Sequence, residues 1–140
     1  MQKIIHADLS QLKSVVEYMR SNIPKNAIIS LNGDLAAGKT TLVDRLLKYC
    51  GVKGGAQSPT FSLQHQQYGG IFHYDFYMKS FEEIFELGLF EEFEKPGWHL
   101  VEWMSERMKD FFKKAGFELW EVKIVPHKKV RTYTIGRLDA

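Results

Sequence analysis

The segment between residues 33 and 41 has residue types and spacing suited to binding phosphate. It reads Gly-Asp-Leu-Ala-Ala-Gly-Lys-Thr-Thr, which is the spacing of a P-loop. Backbone N–H groups of such a loop surround a phosphate, the lysine reaches the terminal phosphates and the next hydroxyl binds Mg²⁺. The pattern predicts nucleotide contacts from nine consecutive residues: Gly33, Asp34, Leu35, Ala36, Ala37, Gly38, Lys39, Thr40 and Thr41.

The residues on either side predict the strand and helix that must position this loop. Residues 26–31 form a short apolar run that is typical of a buried parallel strand. After the loop, apolar residues recur at helical spacing: Leu42, Val43, Leu46, Leu47 and Cys50. Gly51 marks the end of that helix. A strand, a glycine loop and a helix in this order predict binding of a nucleoside di- or triphosphate.

Composition and charge narrow the possible functions. The 140 residues are 44% hydrophobic and 26% charged, which suits one globular domain over residues 1–140. A net charge of +2 gives little support for binding to DNA or directly to RNA. Cys50 is the only cysteine, which excludes a disulfide framework and a thiolate zinc site. Without a membrane-spanning run or a cleavable leader, we expect a cytoplasmic protein with no membrane partner.

The rest of the chain predicts an α/β fold with a mixed sheet. Residues 61–68 and 71–77 flank Gly69-Gly70 as a hairpin would, and residues 98–103 form a further strand. Two closing strands are expected over 117–125 and 130–138. Helices are expected after Asp8, after Ser80 and over 104–114. We therefore predict a P-loop NTPase-like domain with a parallel centre, an antiparallel hairpin and closing strands, flanked by helices.

Two carboxylates follow predicted strands and are the candidate partners of the loop. Glu102 comes after an apolar run at 98–101, and Asp75 lies towards the end of the predicted strand at 71–77. Ligands bind at the carboxyl ends of strands in α/β sheets, so Glu102 is predicted to hold a metal, and Asp75 is a second candidate for holding the metal or positioning the attacking water. Either carboxylate could instead be an exposed or capping group. His65, His73 and His99 lack metal-ligand spacing and are predicted to be packed or exposed.

Other motifs bear on the base and on the reaction. No Asn-Lys-x-Asp tetrad is present, which favours adenine over guanine. No arginine-rich lid segment is present, which argues against a kinase of the adenylate kinase type. The segment Ser58-Pro59-Thr60 precedes the hairpin, where switch loops of P-loop proteins commonly meet the γ-phosphate. Spacing alone leaves that role undecided.

Taken in order, these motifs resemble the TsaE family, the ATPase component of bacterial tRNA threonylcarbamoyladenosine synthesis. The resemblance covers roughly residues 26–103 and begins with the P-loop. It continues through Ser-Pro-Thr-Phe at 58–61, His-x-Asp-x-Tyr at 73–77, Glu-Leu-Gly-Leu at 86–89 and Glu-Trp at 102–103. Each motif is modest alone, but their order is specific.

The resemblance implies cofactors, partners and site residues. Family members bind and slowly hydrolyse ATP with Mg²⁺, and they act with TsaD and TsaB, which modify tRNA; contact with tRNA is through that complex. The implied catalytic residues are Lys39, Asp75 and Glu102, with Thr40 and Glu102 as metal ligands. Arg131 is an implied nucleotide contact. The implied switch consists of Ser58, Pro59, Thr60 and Phe61.

The sequence departs from the family pattern near the loop. Ala36 replaces the usual glycine, and a positive φ there would cost alanine about 1 kcal/mol. Met78 stands where the family usually has arginine, and Met104 replaces a common proline. The leading hypothesis is a weak, partner-stimulated ATPase. A small-molecule kinase and a nucleotide-sensing module without hydrolysis are the alternatives.

Overall fold

A seven-stranded mixed sheet organises the protein. The structure is a computed structural model that describes residues 2–34, 36–51, 64–68 and 70–138, and of residues 64–68 only the backbone is described. The strands are β1 Gln2–Ala7, β2 Ile28–Asn32, β3 Gln64–Tyr68, β4 Ile71–Asp75, β5 Trp98–Glu102, β6 Leu119–His127 and β7 Val130–Arg137. Their order across the sheet is β1-β7-β6-β2-β5-β4-β3.

The centre of the sheet is parallel and both sides of it are antiparallel. Strand β2 runs parallel to β5 and β6, and β4 runs parallel to β5. Strands β3 and β4 form the predicted hairpin, while β7 pairs antiparallel with β6 and β1. The predicted P-loop NTPase-like α/β fold is therefore confirmed.

Within the described ranges, four α-helices cover the two faces of the sheet. They are α1 Leu12–Asn22, α2 Lys39–Tyr49, α3 Phe81–Glu86 and α4 Glu106–Lys114, with 3-10 helices at Leu9–Gln11 and Leu89–Glu94. Capping boxes open two of these segments, with Asp8 and Gln11 at one and Ser80 and Glu83 at the other. None of the described helices has the length and apolar character needed to cross a bilayer.

Alternating side chains of the central strands supply two separate apolar cores. Ile29 and Leu100 face the core under α1 and α2, whereas their neighbours Ile28 and Val101 face the core under α3 and α4. This alternation follows from the two-residue repeat of a β-strand. Burial of both faces explains why the central strands read as continuous apolar runs.

Several element boundaries differ from the sequence prediction by one or two residues, for example the end of β4 at Asp75 rather than at residue 77, and two of these differences have a local cause. Helix α4 begins at Glu106 rather than at residue 104, because the Ser105 side chain accepts a hydrogen bond from the Met108 N–H and caps the helix. Strand β6 continues through Pro126 to His127. The pairing of β6 with β2 ends at Lys123. Pro126 lies beyond this pairing, so its missing N–H breaks no hydrogen bond to β2.

Two residues that depart from the family pattern have left-handed backbones. Ala36 has φ +64° and Met78 has φ +57°. A side chain at Cβ makes this conformation unfavourable by about 1 kcal/mol or more, and glycine avoids the cost. The strain expected for alanine in the loop is therefore present.

We expect Ala36→Gly to raise the free energy of unfolding by about 1 kcal/mol, because it removes this strain. Met78→Gly should act in the same direction, because Met78 is 84% exposed and loses little packing. Ala37→Gly is the matched control: Ala37 is buried without a positive φ, so its replacement should destabilise. Urea denaturation measures all three, and a lower stability of Ala36→Gly than of the parent would contradict the prediction.

Candidate nucleotide-binding site

A cavity of about 430 Å³ is lined by eight of the eleven predicted site residues that the structure describes. It lies where β4 and β5 end and α2 begins. The residues that line it are Ala36, Gly38, Lys39, Thr40, Thr41, Asp75, Tyr77, Glu102, Trp103 and Arg131. The P-loop, both predicted carboxylates and the predicted basic residue are therefore brought together by the fold.

The loop needs glycine at position 38 for two reasons. Gly38 has φ +107° and is the N-cap residue of α2, so the chain enters the helix through a conformation that favours glycine. A Cβ at this position would lie 2.9 Å from Nε of Arg131. Arg131 on β7 is thereby placed directly against the loop. Its Nε is buried and makes no hydrogen bond within the described part of the chain, which suits a group that contacts an anion.

Lys39 is the first residue of α2 and is held by the loop itself. Its Nζ donates to the carbonyl oxygens of Gly33 at 2.5 Å and Asp34 at 3.3 Å. The same nitrogen lies 3.8 Å from the centroid of the Trp103 ring, a cation–π contact. Burial lowers the pKa of Lys39 below its ordinary 10.5, although the charges of Glu102, Asp75 and Asp34 oppose this shift.

The two predicted carboxylates lie side by side at the ends of neighbouring strands. Asp75 pairs with Glu102 in the parallel register of β4 and β5. Glu102 Oε2 accepts from the Thr40 hydroxyl at 3.3 Å, and Asp75 Oδ1 accepts from the Tyr77 N–H at 3.0 Å. A hydroxyl and a carboxylate oxygen this close together are the hard ligands that Mg²⁺ takes beside nucleotide phosphates.

His73 enters the site although the sequence suggested only packing or exposure for it. Its Nε2 lies 2.5 Å from Oε2 of Glu102. The sequence contained one usable signal: His73 and Asp75 are two residues apart on a strand and therefore share a face. His99, by contrast, contacts the Tyr74 hydroxyl and the Lys95 carbonyl. Burial lowers the pKa of His99.

Two aromatic residues of the cavity had no role in the sequence prediction. Tyr77 and Trp103 lie 4.8 Å apart between ring centroids. Trp103 has φ +63°, which turns its ring back over Lys39. Both residues also line a second cavity of about 390 Å³. A left-handed tryptophan after a strand end has no sequence signal, so only the fold could show it.

Some of the predicted site residues are not described by the structure. Leu35 and the predicted switch Ser58, Pro59, Thr60 and Phe61 are not among the described residues. Within the described ranges, no group of three or more His, Cys, Asp or Glu side chains could hold a metal ion by itself.

The fold and this cavity define a nucleotide-binding protein of the P-loop NTPase-like class. A sequence model of the family described as "Threonylcarbamoyl adenosine biosynthesis protein TsaE" matches residues 3–133. The match covers most of the chain, so the chain belongs to the TsaE family of tRNA threonylcarbamoyladenosine biosynthesis proteins.

Individual relatives agree with this assignment. A Rickettsia typhi protein named "tRNA threonylcarbamoyladenosine biosynthesis protein TsaE" is 39% identical over 85% of this chain and 84% of its own length. A Rickettsia conorii protein of the same name is 41% identical over 66% of this chain, but the match spans only 55% of the relative. The crystal structure of Bacillus subtilis YdiB has a TM-score of 0.67 at 21% identity, covering 96% of this chain and 84% of that chain. This last likeness concerns the fold alone.

The lowered pKa of Lys39 predicts how nucleotide binding depends on pH. A neutral amine gives no charge to a phosphate, so affinity should fall as pH rises through the Lys39 pKa, beginning below the ordinary 10.5. Stability of the free protein should change in the opposite direction. The unfolded lysine holds its proton to higher pH, so this group's contribution to the free energy of unfolding rises between the folded pKa and 10.5.

Fluorescent-nucleotide titrations from neutral to alkaline pH measure the affinity, and urea unfolding over the same range measures the stability. Lys39→Ala is the control, because its residual binding should lack this alkaline fall. An affinity that stays constant up to the ordinary lysine range would contradict the prediction.

Proposed function

We propose that this protein is an ATP-binding, weak, partner-stimulated ATPase that acts with TsaD and TsaB. The reaction it serves is threonylcarbamoylation of the adenosine 3′ of the anticodon in tRNAs that read codons beginning with A. The protein does not itself carry the transferred group, and it meets tRNA through the complex. Residues 1–140 act as one domain in this proposal.

The observation that carries the proposal is the convergence of an ammonium group, a hydroxyl and two carboxylates on one cavity. Lys39, Thr40, Asp75 and Glu102 come from the loop and from two strand ends, and all four line the same space. Phosphoryl transfer to water needs little covalent chemistry from a protein. It needs positioned positive charge, a metal ligand and a group that orients the nucleophile.

Each group has a distinct task in hydrolysis. The loop N–H groups and the N-terminus of α2 bind the phosphates, and Lys39 neutralises the charge on the β- and γ-phosphates. Asp75 orients the attacking water. Mg²⁺, when bound with ATP, neutralises charge on the phosphate oxygens, and Thr40 with Glu102 would hold it. Arg131 contacts the nucleotide beside Gly38.

Slow hydrolysis by the isolated chain is part of the proposal. The sequence has no obvious arginine finger, and such a group can be worth about 10³ to 10⁵ in rate. TsaD and TsaB would supply the missing contribution when the complex forms. The absence of a guanine-reading tetrad supports ATP as the nucleotide.

Multiple-turnover formation of threonylcarbamoyladenosine on tRNA tests the biological role. The reactions contain TsaD, TsaB and the enzyme that makes the threonylcarbamoyl donor, with this protein as wild type, as Lys39→Ala or absent. Repeated turnover with the wild type alone would support the proposal. Equal product in all three reactions would overturn it.

Substitutions in the cavity should separate binding from turnover. Lys39→Ala should bind ATP much more weakly and lose hydrolysis, because the charge that meets the phosphates is removed. Glu102→Ala should lower turnover by about 10² or more while sparing affinity for metal-free nucleotide, because the lost group acts through the metal. Glu91→Ala removes an exposed carboxylate on the 3-10 helix Leu89–Glu94, outside both cavities, and is the control. Nucleotide titration and phosphate release measure both effects, and normal turnover in the two cavity variants would contradict this assignment.

A small-molecule kinase is the second candidate, because of the second cavity. That cavity of about 390 Å³ shares Tyr77 and Trp103 with the first and could receive a phosphate acceptor. Product analysis decides between the two functions. Free phosphate as the sole product supports the ATPase, whereas a phosphorylated metabolite formed by the isolated protein supports the kinase.

A further inference from the structure

We propose that His73 is a positioning residue for magnesium-dependent nucleotide binding, acting by fixing the carboxylate of Glu102. The inference rests on the proposed function, since it concerns the metal ligand of the same site. His73 itself does not contact nucleotide or metal in this proposal. It fixes the position of Oε2 of Glu102.

The register of two parallel strands creates the contact. His73 pairs with Leu100 and Asp75 pairs with Glu102, so the Glu102 side chain lies on the strand next to His73. Nε2 of His73 reaches Oε2 of Glu102 at 2.5 Å. The Thr40 hydroxyl donates to the same oxygen at 3.3 Å. Oε2 is therefore held between the sheet and the P-loop helix.

The contact between His73 and Glu102 is buried on both sides, which strengthens it. His73 is 2% exposed and Glu102 is 4% exposed. A carboxylate removed from water to this degree needs hydrogen bonds to remain charged, and bonds to a charged acceptor are the stronger kind. The two hydrogen bonds that described side chains make with Glu102 both reach Oε2, and the shorter comes from His73.

Loss of the histidine contact should loosen the carboxylate rather than the phosphate-binding loop. Without it, Thr40 is the remaining described side chain that bonds Glu102, and the carboxylate can rotate. Groups that orient a metal ligand in this way typically contribute about 10- to 100-fold in metal affinity. The loop N–H groups and Lys39 do not depend on His73, so the intrinsic affinity for metal-free nucleotide should persist.

His99 offers a matched control within the same fold. His99 is buried and hydrogen-bonded, as His73 is, with 0% of its surface exposed. It lies on the strand next to β4. Its partners are the Tyr74 hydroxyl and the Lys95 carbonyl rather than a carboxylate of the cavity. His99→Leu therefore reports the effect of losing a buried histidine without disturbing Glu102.

The experiment is titration of a fluorescent, slowly hydrolysed ATP analogue in Mg²⁺ and in EDTA, on the full chain. The quantity compared is the ratio of the two affinities, which a purely structural role would not change. We expect the ratio to fall about 10- to 100-fold in His73→Leu and to keep its wild-type value in His99→Leu. The affinity in EDTA should match that of the wild type in both variants.

A second pair of variants keeps the test decisive if His73→Leu does not fold. The His73→Gln side chain can place an N–H donor near the position of Nε2, whereas the shorter side chain of His73→Asn cannot reach Glu102. The glutamine variant should restore most of the affinity ratio and the asparagine variant should not.

The outcomes distinguish the inference from the function on which it rests. A wild-type ratio in His73→Leu, or in His73→Asn, would overturn the positioning role of His73 alone. A wild-type protein whose affinity does not respond to Mg²⁺ would overturn the metal role of Glu102, and the inference with it.

Discussion

Burial of the Glu102 carboxylate at the end of β5 is the constraint on which the site depends. A carboxylate held at 4% exposure has to be hydrogen-bonded, and the fold provides its partners from two elements. His73 approaches from β4, while Thr40 and the Lys39 charge approach from the first turn of α2. The parallel pairing of β2, β4 and β5 places all of these at one edge of the sheet. The sheet thus has to keep its register for these contacts with the carboxylate to form.

The nucleotide cavity is lined by residues of the parallel centre and also by a residue of the antiparallel strand β7. Strand β7 lies three positions from β5 in the sheet, yet it brings Arg131 against Gly38. At that contact the positive φ favours glycine, and a Cβ would in addition press against the Arg131 side chain. The antiparallel pair of β6 and β7 therefore has a role in the site, because it brings the Arg131 cation to the nucleotide cavity.

Backbone strain is concentrated around the same place. Four described non-glycine residues have a positive φ, and three of them, Ala36, Met78 and Trp103, line one of the two adjoining cavities. Such conformations cost of order 1–3 kcal/mol each and persist where the surroundings hold them. Trp103 shows the benefit most directly, since its left-handed backbone puts the ring over Lys39. The chain thus keeps strained residues around the cavity that we propose binds ATP.

The sequence by itself determined the fold class, the nucleotide-binding loop, both carboxylates and the family. It could do so because a P-loop, a capping box and a strand end are local patterns, in which spacing alone fixes which atoms are neighbours. The roles of Ser58 to Phe61 stay predictions. Only the tertiary structure decided the contacts of His73, Trp103 and Arg131. Those contacts depend on strand register and on a left-handed backbone at Trp103, and they join residues that are distant along the chain. Burial makes the hydrogen bonds to Glu102 strong, because a hydrogen bond is electrostatically stronger where water is excluded.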